Sequence, residues 1–321
     1  YWNHRLNHKV NIFWNRHVIH HSSEEFNLAC ALRQSISAWI GFGALFLIPA
    51  ALFGVPANII AVLAPLHLFA QFWYHTQHIG KLGFLEYIIV TPSQHRVHHA
   101  VNSIYIDKNL SAIFCVWDRI FGTFQEELDE EPPVYGVLKP VKTWNPILIN
   151  FQHAWNVIQD AYNTNNFKDK FRIWFMPTGW RPKDVIEKFP ITIDKDVKKR
   201  IKYSPKYTPL LKGIALFHFI SINLLLTFFL YNFTELSTSF KLIYGFIIFI
   251  SIFGFTSLMD LHSWAPNFEI VRSISAILLL LTSSTSQFLS TDYFSSYILI
   301  ISYFMVAIMI AISFKNKFKI E

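Results

Sequence analysis

The chain of 321 residues has 14 histidines, and eight of them fall in three short boxes. The boxes are His4-x-x-x-His8, His17-x-x-His20-His21 and His95-x-x-His98-His99, with His75 alone between the second and third. Residues three and four apart share one face of a helix, so each box can aim two or three imidazoles at one point. Chance predicts only about 0.03 copies of H-x-x-H-H in a chain of this composition; two are present. Imidazole suits Fe, Zn, Cu and Ni. One zinc takes three or four protein ligands, so nine histidines point to two metal ions. The Glu-x-x-His pairs of carboxylate-bridged di-iron bundles and the H-E-x-x-H of zinc hydrolases are both missing from the sequence. An all-histidine metal pair beside lipid suits the activation of O2 against an unactivated C–H bond. Glu24, Asn102 and Asp107 lie close to the boxes and are candidate partners for the outer imidazole nitrogens; capping and turn formation are their competing roles. His78 and His153 are outlying candidates, whereas His67, His218 and His262 read as ordinary hydrogen-bonded histidines.

The elements that position these boxes must be membrane elements. The chain is 52% hydrophobic and 15% charged, against about 25% charged in a soluble domain. No Asp, Glu, Lys or Arg occurs from Gln34 to Gly80. That run is broken at Pro49, Gly54 and Pro56 and reads as a helical hairpin over Ile36–Trp73. Four more uncharged runs, Gly213–Thr234, Leu242–Met259, Ser273–Thr291 and Tyr293–Phe314, are each about long enough to span a bilayer core. The expected fold is all-α: a polytopic integral membrane protein with a di-metal site at its cytosolic face. Lys and Arg crowd the stretch Lys81–Lys212 and the tail Lys315–Lys319. The positive-inside rule therefore puts boxes, connector and tail in the cytoplasm. That corresponds to the endoplasmic reticulum in a eukaryote or the inner membrane in a bacterium. The net charge of +7 is then a topology signature, and no reader motif argues for nucleic acid. Cys30 and Cys115 form no disulfide framework.

Four segments follow. Residues 1–125 hold the boxes and the hairpin, and residues 126–211 form a cytosolic connector. Residues 212–314 supply four transmembrane helices, and residues 315–321 a basic tail. The sequence opens on Tyr1 without a Met, and an N-terminal truncation is expected. Helical periodicity around Ile147–Tyr162 predicts an amphipathic helix on the membrane surface. The acidic run Glu126–Glu131 reads as a solvated surface.

Boxes of this form resemble those of the fatty acid hydroxylase/sterol desaturase superfamily of membrane di-iron enzymes. The resemblance sharpens at His20-His-Ser-Ser-Glu-Glu-Phe-Asn27, Tyr105-Ile-Asp-Lys-Asn109 and Trp117-Asp-Arg-Ile-Phe-Gly-Thr-Phe124, which are similar to the alkylglycerol monooxygenase branch. It continues weakly through Gly179-Trp180 and Glu269-Ile-Val-Arg272. By resemblance the ligands are His4, His8, His17, His20, His21, His75, His95, His98 and His99, and the metal is a pair of irons. The same resemblance implies O2-dependent cleavage of an ether lipid to fatty aldehyde and glycerol, with tetrahydrobiopterin as reductant. Electrons come from an external donor, because the chain carries no redox domain. Three places depart from the branch: Lys9 stands where an acidic residue is found, Ala100-Val101 replaces Gly-Arg, and Leu110-Ser-Ala112 replaces small residues. Two alternatives stand beside ether cleavage. One is a hydroxylase or desaturase of sterols, carotenoids or fatty acyl lipids; the other, more remote, is a non-catalytic metal-binding membrane protein.

Overall fold

A computed structural model describes residues 1–36, 43–191, 193, 196–283 and 294–315. The architecture is all-α. Among the described residues no strand forms, and three isolated bridges are the only β pairings. Two compact units divide the chain: residues 1–142 with 148–203, and residues 143–147 with 204–321.

In the first unit the opening boxes lie on two consecutive helices, α1 (Trp2–Lys9) and α2 (Asn11–His21). Val10 separates them in an extended conformation. The first amides of a helix lack intrahelical partners. Here the amides of Asn11 and Ile12 donate to the carbonyls of Met176 and Trp174, at 3.1 and 3.0 Å. The buried side chain of Asn11 also reaches the connector. Its Nδ2 donates to the Ile173 carbonyl at 2.9 Å, and its Oδ1 accepts from the Gly179 amide at 3.1 Å. Gly179 has φ +82°, a conformation that favours glycine. The connector thus caps the helix that carries the second box.

The apolar hairpin lies outside the described residues over 37–42. It continues as short helical turns over Gly43–Leu52 and then as α3 (Ala57–Trp73), which starts after Pro56 and has Pro65 inside it. His75 follows directly. The third box lies on α4 (Pro92–His98), a seven-residue helix buried throughout, with proline at its first position. Glu86 holds its start, accepting from the hydroxyls of Thr91 and Ser93 at 3.2 and 2.6 Å. The connector then forms α5 (Pro146–Asn163).

The second unit is built from α6 (Pro209–Tyr231), α7 (Thr238–Met259), α8 (Ala265–Ser283) and α9 (Phe294–Lys315). The first three are long and apolar enough to cross a membrane, and Ile298–Ser313 of the fourth is a shorter apolar stretch. Residues 284–293, between the last two expected transmembrane helices, and the tail beyond Lys315 lie outside the described residues. Tyr244, Ile247, Leu280 and Phe304 centre the core. That core also holds charge, which the count of uncharged runs missed because the third run begins one residue after Arg272. Arg272 is buried and donates to both carboxylate oxygens of Glu269 and to Ser251 Oγ, the last at 2.7 Å. His218 Nδ1 meets the Tyr303 hydroxyl at 3.1 Å. All four helices contribute to this polar knot.

Candidate metal centre

The four sequence segments bring nine imidazoles together in two groups. His4, His8, His17, His21 and His98 form one, and His20, His75, His95 and His99 form the other; within each, the ligand atoms lie within 4.8 Å of one another. The second and third boxes each divide between the groups, because adjacent histidines on a helix point about 100° apart. His21 of the first group stacks on His99 of the second, with ring centroids 4.2 Å apart, so the two pockets are neighbours.

A neutral imidazole carries one donor nitrogen and one acceptor. In several members the donor is committed away from the centre. His4 Nδ1 donates to the Leu110 carbonyl at 2.9 Å, His98 Nδ1 to that of Lys108 at 3.0 Å, and His75 Nδ1 to that of Gln71 at 2.6 Å. Their Nε2 atoms are left as lone pairs, and these converge. His4 Nε2 faces His17 Nε2 at 2.8 Å, and His75 Nε2 faces His95 Nε2 at 2.9 Å. The buried Nε2 atoms of His8 and His98 have no hydrogen-bond partner. Nitrogens this close need a proton or a cation between them, and with four or five imidazoles converging in each group and Nε2 of His8 and His98 unpartnered, this donor set fits a pair of metal ions. Outer nitrogens tied to carbonyl and carboxylate groups are what a metal-binding imidazole requires.

Burial is the largest influence on the charge of the cluster, and neighbouring imidazoles reinforce it. Together they push His20 down to about 3. His75 falls to about 4, through burial alone. His4, His17, His21, His95, His98 and His99 all lie well below their ordinary value. Burial also lowers His8, against the opposing pull of Asp107. Every imidazole is therefore neutral near pH 7, the form that binds metal. Aromatic rings close around the groups: Trp14 lies 5.2 Å from His8, Tyr74 4.5 Å from His95, and Phe26 5.3 Å from His99.

Of the three candidate outer partners, only Asp107 reaches an imidazole. Its Oδ1 lies 3.4 Å from His8 Nδ1, while its Oδ2 accepts from Lys9 Nζ at 2.5 Å. Glu24 accepts instead from the amide of Tyr203 at 2.7 Å. Asn102 pins the acidic run, donating to Glu131 at 2.7 Å and accepting from the Val134 amide at 2.7 Å. The run expected to be merely solvated is thus tied down, and Glu127 adds a two-pronged pair with Arg96 at 2.7 and 2.6 Å. Arg96 also donates to the carbonyls of Thr76 and Ile79, fastening α4 to the segment that follows His75. His153 does not face the metal groups; it meets the Asn11 carbonyl at 2.9 Å. His78 belongs to neither group.

The sequence reading passed over the carbonyls of Lys108 and Leu110, since every residue has a carbonyl. Their direction is set by left-handed turns at Asp107 (φ +58°) and Asn109 (φ +50°). The buried Asn109 side chain fixes that path through the carbonyls of Gln94 and Gln125, and the buried Asp118 carboxylate accepts from the amides of Leu110 and Ser111. One loop, residues 107–111, therefore orients His4 and His98 and sets Asp107 beside His8.

Comparison with known proteins places this geometry. Residues 1–123 match the family model described as fatty acid hydroxylase. The chain is 35% identical to human alkylglycerol monooxygenase over 285 residues, covering 88% of this chain and 62% of that protein. It is 39% identical to the Xenopus tropicalis alkylglycerol monooxygenase over 220 residues, 68% of this chain and 48% of the other. The Danio rerio protein of the same name is 32% identical over 286 residues, 87% and 62% of the two chains. The chain thus spans less than two thirds of the length of these curated relatives. No solved structure matches it significantly. Residues 1–123, which carry the boxes, the buried imidazoles and the loop beside them, are thus similar to the fatty acid hydroxylase family.

Proposed function

We propose that the chain is the catalytic part of a membrane oxygenase that hydroxylates a lipid C–H bond, with the ether-bearing carbon of an alkylglycerol as its target. The observation that carries this reading is the pair of adjacent, buried, all-imidazole groups in a chain similar to alkylglycerol monooxygenases over most of its length. The nine histidines would hold two irons, which when bound supply the reduction of O2 and the oxidation of carbon. O2, two electrons and two protons convert the ether CH2 to a hydroxylated carbon and water. The resulting hemiacetal breaks its C–O bond to give fatty aldehyde and glycerol. The sequence resemblance supports tetrahydrobiopterin as the donor of electrons from outside the chain, and the Lys and Arg distribution supports a cytoplasmic site.

The protein's own contribution is positioning and dryness. Carbonyls at Leu110, Lys108 and Gln71 set the tautomers of His4, His98 and His75. Trp14, Tyr74 and Phe26 exclude water from the imidazole rings. The test is aerobic turnover of iron-loaded, full-length protein on a labelled 1-O-alkylglycerol, with and without tetrahydrobiopterin. Aldehyde formed only with the pterin is the expected result, and His95→Ala, which removes a ligand of the four-histidine group, is expected to abolish it. Two irons bound per chain with no aldehyde from any alkylglycerol would sink the ether-lipid assignment.

A further inference from the structure

Helix α5 has one face held against the rest of its unit and one face left open. The held face buries Ile149, Asn150 and Val157, with Ile149 packing on Val18 and Ile19, and polar side chains fasten it. Asn150 Oδ1 accepts from the Ile36 amide at 2.8 Å, His153 meets the Asn11 carbonyl, and Asp160 forms a two-pronged pair with Arg181 at 2.6 and 2.8 Å. Its outward face is apolar. Leu148, Phe151, Trp155, Ile158 and Tyr162 recur at steps of three and four and form one stripe, with Trp155 58% and Tyr162 83% exposed. The pattern continues past the end of the helix. Phe167 and Phe171, 72% and 61% exposed, follow at a spacing of four, and Phe175 lies a further four on, also exposed. The rings of Phe167 and Phe171 are 5.1 Å apart. Lys170 Nζ donates to the carbonyls of Ala161 and Tyr162, both at 3.0 Å, joining this second ridge to the end of the first.

We propose that the two ridges form a plate seated in the headgroup layer of the bilayer entered by the hairpin of residues 43–73. Three observations select a lipid surface as the occupant. The first is continuity: Asn150 holds the backbone of Ile36, where the chain leads into the hairpin, whose Leu52, Phe53 and Phe69 are exposed and apolar. The second is composition. Phe, Trp and Tyr dominate the outward face, and rings of this kind settle at the membrane–water boundary. A helix with Asn, Gln, His and Asp on its other face lies in that plane and does not span. The third is charge. Residues 160–188, including the Asp160 paired with Arg181, carry six basic and four acidic side chains, and the remaining excess complements anionic headgroups. A second copy of the chain would require no such excess.

The test uses the full chain in nanodiscs of phosphatidylcholine and phosphatidylserine. An environment-sensitive fluorophore is attached at Trp155→Cys or Phe171→Cys, with Lys199→Cys as the solvent-exposed control; the native Cys30 and Cys115 are buried. All three substituted positions are exposed, so the fold should tolerate them. The expected result is blue-shifted emission at 155 and 171, quenched several-fold more strongly than at 199 by lipids spin-labelled near the headgroup. Water-like emission at both positions would overturn the proposal. So would emission that is blue-shifted but insensitive to spin-labelled lipid, because protein would then cover the face.

Discussion

Asp107 is shared between two partners, and the sharing is unequal. Lys9 Nζ lies 2.5 Å from one carboxylate oxygen, while His8 Nδ1 lies 3.4 Å from the other, beyond a good hydrogen bond. The lysine that departs from the family pattern therefore holds the carboxylate more closely than does an imidazole of the five-histidine group. Losing an outer partner of a ligand typically weakens metal binding by about 10- to 100-fold. Asp107→Asn is expected to fall in that range for the five-histidine group alone, leaving the other metal in place. Lys9→Gln should have the opposite sign, releasing Asp107 to His8 and slowing metal loss. Metal content after timed dialysis against a chelator reads both variants. The box histidines and Asp107 were legible in the sequence because their side chains carry the chemistry and the helix repeat gives the spacing. Lys108 and Leu110 were not, because their contribution is a carbonyl whose direction depends on two left-handed residues.

At the scale of elements, helices are held where they are by groups that sequence periodicity does not see. His153 fastens α5 to the start of α2. Burial lowers its pKa below the ordinary 6.5, outweighing the carbonyl of Asn11, which raises it. The folded protein thus favours the neutral ring. Its contribution is complete above pH 6.5 and is lost as the pH falls below that value, where the unfolded chain takes up a proton that the folded chain resists. His153→Gln should flatten this part of the stability profile, measured as the midpoint of thermal unfolding on either side of pH 6.5. In the second unit the hydrophobic runs made the long helices legible. Glu269 and Arg272 stood out in the sequence only through the resemblance, and their pairing was not legible because they lie just before an uncharged run, near the start of α8. A Cβ on Gly254 of α7 would collide with Glu269 Oε1. Gly254→Ala must therefore displace the carboxylate from Arg272, and breaking a buried pair costs about 3 kcal/mol. A clear fall in the unfolding temperature of the detergent-solubilised chain is expected, and an unchanged midpoint would show that the pair is free to move.

Across the whole molecule, metal chemistry and membrane-spanning length are assigned to different units. All nine imidazoles belong to the unit of residues 1–142 and 148–203. Metal at about a thousand times its dissociation constant stabilises the state that binds it by about 4 kcal/mol. Chelation should therefore expose the backbone between the third box and the connector to protease, while fragments of α6 to α9 persist; equal loss of both would contradict separate units. This division of labour was readable in the placement of histidines and uncharged runs. The polar anchoring of α5 was not, because periodicity reveals a stripe without saying which side faces inward. The division also orders events in time. All nine clustered imidazoles, and the loop that orients His4 and His98, are encoded before residue 112, whereas α6 begins at Pro209. At about 5–20 residues per second, a ribosome makes the full ligand set roughly 5–20 s before it starts the first long membrane helix. The nine imidazoles are thus available to a metal ion while the last four helices are still unmade.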